Sequence, residues 1–124
     1  MSEDEQARPP ATGVALHLTT ENVWETYGAS ERYYPERFDD EGFVHLTHGE
    51  VNVIAVGNRY YRADPRPYLA LEVDLSRVRA PAIYEDDARL YPHVYGPIDR
   101  GAVLRVWRIE RASDGTFLGI GAPV

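Results

Sequence analysis

The 124-residue chain contains no cysteine and no lysine. Without cysteine there is no disulfide framework, no thiolate nucleophile and no zinc finger or iron–sulfur cluster, so the domain must stand on packing alone. Without lysine there is no Schiff-base chemistry and no phosphate-binding loop of the kind whose lysine reaches the phosphates. All thirteen basic residues are arginine, which suits bidentate contacts to phosphate or carboxylate and not general-base work. The four serines, Ser2, Ser30, Ser76 and Ser113, lie outside any nucleophile-elbow pattern, which disfavours serine hydrolase chemistry. No apolar run approaches the roughly 18 residues that a membrane helix needs. The acidic, proline-containing N-terminus does not read as a signal peptide, so a cytoplasmic protein with no membrane partner is expected.

The length fits one domain with a core of its own. A formal net charge of −7 argues against DNA, RNA or anionic lipid as a nonspecific partner, since each requires a basic face. Two acidic clusters, Asp39 to Glu41 and Glu85 to Asp87, precede histidine-bearing stretches and weigh against a phosphate-bearing ligand unless they point away.

Residues 1–13 are polar, carry a Pro-Pro pair and read as a loosely tethered arm, leaving 14–124 as the folded domain. Val14 to Leu18 reads as a buried strand, with Thr19 or Thr20 capping a helix through Trp24 to Tyr27 that Gly28 ends. The stretch to Glu41 is an aromatic loop with one helical turn, expected to pack over a core edge rather than to act as a lid. Phe43 to Leu46 is a strand. Thr47 and Glu50 form a capping-box pattern that starts a helix at His48, apolar nearly all round and ending near Ala63 before two proline breakers. Gly57 within it marks a close helix contact. Strands follow at Tyr68 to Val73, at an edge over Pro81 to Tyr84, in extended form within Leu90 to Ile98 and over Ala102 to Glu110, and Phe117 to Ile120 either adds a short strand or packs against the sheet. Helices near the front and strands almost alone behind them give an α+β class with a mostly antiparallel sheet.

The sequence has four histidines. His17, His45 and His93 each sit in a short extended apolar segment, where a buried ring needs partners for its nitrogens, so convergence on one cleft is expected. Alternation puts His93 and Tyr95 on one face. His48 reads as an ordinary surface residue. Taken alone, His17 is a buried ring bonded to a backbone carbonyl. Three imidazoles also fit a catalytic metal site, but the short ligand signatures are missing, and no metal is expected. General acid–base hydrolysis, with Glu85 or Asp87 orienting a histidine, is a further alternative.

Ala15-Leu-His-Leu-Thr-Thr with Trp24, Gly42-Phe-Val-His-Leu-Thr with Glu50, Asn58-Arg-Tyr-Tyr61 and Leu90-Tyr-Pro-His-Val-Tyr-Gly-Pro97 together resemble the bacterial family DUF952, over about Val14 to Arg108. That family is similar in fold to the ADP-ribosyltransferases and the tRNA 2'-phosphotransferases. The resemblance implies an ADP-ribosylation-like fold with a split, mostly antiparallel sheet and a cleft for NAD or a related small-molecule nucleotide. It implies that His17 bonds the ribose beside nicotinamide and that His45 packs by the nicotinamide ring. His93 or Tyr95 falls at the third position, where typical transferases carry a glutamate. Thr19, Thr47, Asn58 and Arg59 are then expected about the bound nucleotide, with Arg59 or Arg32 against the pyrophosphate. A transferase or nicotinamide-releasing activity is the leading expectation, its macromolecular acceptor open. A noncatalytic nucleotide-binding module and a histidine-based hydrolase or metal enzyme are the alternatives.

Overall fold

A computed structural model describes residues 8–124. The main sheet has four antiparallel strands in the order β1-β4-β8-β9, comprising β1 (Val14–Thr20), β4 (Tyr68–Asp74), β8 (Val103–Arg111) and β9 (Phe117–Pro123). A second sheet orders β3 (Val44–His45), β6 (Pro92–Val94) and β5 (Ala82–Tyr84) as β3-β6-β5. A short ribbon pairs β2 (Arg32–Tyr33) with β7 (Ile98–Asp99). Every pairing is antiparallel, as the α+β reading requires.

The pleat of β4 divides the core in two. Leu69, Leu71 and Val73 face one layer with Trp24, Tyr33, Val44, Leu46, Val94 and Ile98. Tyr68 and Ala70 face the other, with Leu16, Leu18, Val53 and Phe117. Helix α1 (Glu21–Thr26) is capped by Thr20, whose hydroxyl accepts from the Val23 amide. One helical turn, α2 (Phe38–Glu41), ends at Gly42 in the left-handed conformation, with φ of 79°. The loop around it packs through its rings, with Tyr33 buried among Trp24 and Tyr27, and Tyr34 against Phe38.

Helix α3 (Glu50–Tyr60) differs from the sequence reading in two respects. It starts at an N-cap of Gly49, with no side-chain cap. The Thr47 backbone is instead paired in both directions with Leu16, each bond 2.8 Å, so Thr47 belongs to the sheet and the capping box does not form. The helix also buries a single stripe. Val53 and Gly57 are inside, whereas Val51 is 83% exposed, because the helix lies on one face of the sheet with solvent behind it. Gly57 is the expected close contact, since a Cβ there would run into the Phe117 ring.

Of the arm expected over 1–13, residues 8–13 fall among the described residues. Residues 1–7 lie outside them, while Pro9 and Ala11 bond the backbone of β5 and Ala11 is buried. Sheet hydrogen bonds and an apolar side chain fix this segment despite its polar composition.

Candidate functional site

The two sheets meet where β1 touches β3. At Leu16–Thr47 they are bonded, and beyond that point they diverge, so that a cleft opens along the outer edge of β1. Its walls include His17, Thr19, His45, Thr47, Glu41, Val53, Tyr61 and the segment Pro35–Arg37. Leu16 directs both its N–H and its C=O toward Thr47. The two-residue strand period therefore directs the Leu18 amide and carbonyl toward the same side, where the cleft begins.

His17 is the most constrained group there. Its Nδ1 lies 2.6 Å from the His45 carbonyl oxygen and its Nε2 lies 3.0 Å from the Tyr33 hydroxyl. A carbonyl only accepts, so Nδ1 carries the proton and donates. Burial lowers the His17 pKa to about 4, which keeps the ring neutral at neutral pH. Nε2 of that neutral ring accepts the Tyr33 proton, and the Thr19 hydroxyl, 2.7 Å from the Tyr33 oxygen, completes the chain. Both nitrogens are thus engaged, and the ring ties β1 to β2 and β3.

His45 and His93 are directly paired across β3 and β6, with ring centroids 5.1 Å apart and edge to face. His93 stacks on Phe43 at 4.3 Å, and Tyr95 lies 5.4 Å from Phe43 and 6.4 Å from His93. The four rings form one half-exposed platform with a carboxylate at each end. His45 Nε2 is 3.2 Å from Glu41 Oε1, and the Tyr95 hydroxyl donates to Glu85, which also pairs with Arg8. Desolvation and the neighbouring His45 lower the His93 pKa, and the Glu85 contact raises that of Tyr95. His93 Nδ1 is buried with no partner.

The three histidines expected to converge do so in two steps: His17 and His45 line the cleft, and His93 and Tyr95 continue from His45 along the platform. Thr19 and Thr47 line the cleft as well. Asn58 and Arg59 lie elsewhere. The Asn58 amide bonds both backbone groups of Phe117, at 2.7 and 2.9 Å, which pins β9 to the helix. Arg59 is exposed and stacks over Tyr60, and neither it nor Arg32 is among the cleft-lining residues. His48 is not an ordinary surface residue, because Nδ1 bonds the Val14 carbonyl and Nε2 the Tyr84 hydroxyl, joining β1 to β5. Glu41, Arg37, Phe43 and Tyr33 were not singled out from the sequence. For Glu41 a signal existed, since it precedes His45 by four residues, but the Gly42 reversal that turns it back to the ring is a backbone property. Among the described residues no three His, Asp or Glu side chains are grouped to hold a metal ion.

The family model described as "Protein of unknown function (DUF952)" matches residues 18–106. The chain belongs to the DUF952 family. None of the curated proteins matches it. Among solved structures, this DUF952 chain is similar to the crystal structure of protein CC0527 from Caulobacter crescentus, with a TM-score of 0.71 and 18% identity over 85% of this chain and 93% of that one. The solution NMR structure of the same protein gives 0.60 and 19% over 82% and 89%. At this identity the likeness shows that the two share a fold. No helix among the described residues is long and apolar enough to cross a membrane.

Proposed function

We propose that this protein is ADP-ribosyltransferase-like and binds NAD or a related nucleotide with the nicotinamide-ribosyl end in the cleft beside β1. The observation that carries this reading is the split sheet edge. Two histidines from the first strand and from β3 border a stretch of β1 that offers an amide donor and a carbonyl acceptor side by side, the complement of a carboxamide. A carboxamide pairs with such an edge as a neighbouring strand would, and the rings of His45 and Tyr61 supply apolar walls.

The enclosed space is about 80 Å³, against roughly 300–1,000 Å³ for typical ligand pockets, so it seats one end of a dinucleotide while the rest lies across the mouth. Arg37 stands there, paired among the described residues with the exposed Asp40 at 3.5 Å, and takes the pyrophosphate role in place of Arg59 and Arg32, which do not line the cleft. A ribose hydroxyl reaches His17 Nε2 by replacing the Tyr33 hydroxyl; otherwise His17 holds the site's shape. As the glycosidic bond to nicotinamide loosens, positive charge grows on the ribose, and a carboxylate beside it stabilises that charge.

A noncatalytic nucleotide-binding module is the second reading. It is favoured by the third position that the resemblance marks, where His93 or Tyr95 falls in place of the transferases' glutamate. Calorimetry with NAD and an assay of nicotinamide release separate the two. Binding with release supports the transferase or glycohydrolase reading, binding alone supports the module, and absence of both refutes the nucleotide reading. His45→Ala is expected to weaken binding roughly tenfold, the loss of one well-placed contact, while Ser113→Ala in the β8–β9 turn leaves it unchanged.

A further inference from the structure

The charges about the cleft do not cancel evenly. Its lining includes three formally charged side chains, Glu36, Arg37 and Glu41. Glu36 is paired from behind with Arg66, whose two terminal nitrogens meet its two oxygens at 3.0 Å each while the same guanidinium also holds Asp64 at 2.7 Å. Arg37 leans to Asp40 at the rim. His17 is held neutral by burial, and Tyr61 and Tyr68 are held protonated, their pKa values raised chiefly by desolvation. Glu41 is the carboxylate that remains. It is not in an ion pair with any arginine among the described residues, and its contact is the His45 ring on the cleft wall. The position is built in, because the left-handed Gly42 ends α2 and turns the chain back so that a residue at its end meets the first strand residues after the turn.

We infer that Glu41 sets the charge preference of the site, so that it takes a cationic planar ring in preference to the neutral dihydro form of that ring. This rests on the nucleotide reading above and deepens it: the site selects oxidised NAD, with its positively charged nicotinamide, over NADH. The two ligands share the adenosine, the pyrophosphate and the carboxamide and differ in the ring, which in NADH is uncharged and carries a tetrahedral C4, so the change of the ratio in Glu41→Gln reports the charge. A full negative charge roughly 5 Å away in a partly hydrated cleft is worth about a fivefold preference.

Calorimetric titration of the wild-type chain with NAD and with NADH at low salt tests this. The expected result is tighter binding of NAD by roughly fivefold, a ratio that falls to about one in Glu41→Gln and persists in Asp39→Asn, which removes a charge from the same acidic cluster but not from the cleft. Equal affinity of the wild type for the two, or a ratio unchanged in Glu41→Gln, overturns the inference while leaving the nucleotide reading standing. Binding of neither nucleotide removes both. Should Glu41→Gln fail to fold by circular dichroism, the wild type decides the matter through salt: raising it from about 0.02 to about 0.5 M shrinks a ratio that arises from charge, and a constant ratio refutes it.

Discussion

His17 carries two opposing demands in one side chain. It must remain neutral to donate from Nδ1 and accept at Nε2, and its burial enforces that state. The sign follows from linkage. The folded pKa, about 4, lies below the ordinary value of 6.5, so the unfolded chain takes up the proton first. Stability from this group is complete above pH 6.5 and is lost as the pH falls toward 4, a loss of about 3 kcal/mol across that window. His17→Gln, which keeps donor and acceptor but cannot titrate, is expected to be less stable at pH 7 by about 1–3 kcal/mol because its amide fits the two partners less well. Its urea midpoint should change less than the wild type's between pH 6.5 and 4. An equal drop in both proteins would show that other groups carry the acid sensitivity.

At the level of elements, the sequence pattern was most informative where a strand or helix is long and buried. β1, β4 and β8 were readable from alternation and apolar runs, and α1 from its threonine cap. Two-residue strands such as β2 leave no period to read, and they exist because Tyr33 is drawn into the core beside Trp24 and His17. Thr47 and Glu50 had the spacing of a capping box, yet the backbone of Thr47 went to Leu16, since a sheet bond in each direction outweighs one side-chain cap. The resemblance puts Asn58 about the nucleotide; its partner, Phe117, is 59 residues away and invisible to local pattern. The helix-to-sheet joint this creates is testable. Gly57→Ala would press a methyl group into the Phe117 ring and is expected to cost about 1–3 kcal/mol in chemical denaturation, although alanine favours helices elsewhere. Asn58→Ala, which leaves an amide and a carbonyl of β9 without their side-chain partner, is expected to cost about 2 kcal/mol without changing ligand affinity.

For the molecule as a whole, the family and its antiparallel α+β build were legible because the histidine, tyrosine and threonine motifs lie in order along one chain. The cleft was legible only in part. Sequence marks His17, His45 and His93, but which of them keeps a free nitrogen depends on Tyr33 and on the carbonyl of His45, neither of which a linear motif encodes. The charge of −7 is likewise a global property with a local exception at Arg37. A phosphate-bearing nucleotide approaches against the net field, so its association rate is expected to rise by roughly two- to threefold between about 0.02 and 0.2 M salt, measured by stopped-flow fluorescence. A rate that falls with salt would instead indicate that Arg37 and its neighbours dominate the encounter. The joint between Leu16 and Thr47 has a further consequence, which concerns time. The floor of the cleft is a seven-residue ladder between β1 and β4, whereas its width is fixed by the two hydrogen bonds of the Leu16–Thr47 bridge and by the His17 ring on the His45 carbonyl. Parting that bridge requires far less than global unfolding, so the cleft can breathe on the timescale of local opening while the sheet beneath it stays shut. Opening of the cleft then has its own clock, set by two amides and one imidazole and separate from that of the sheet.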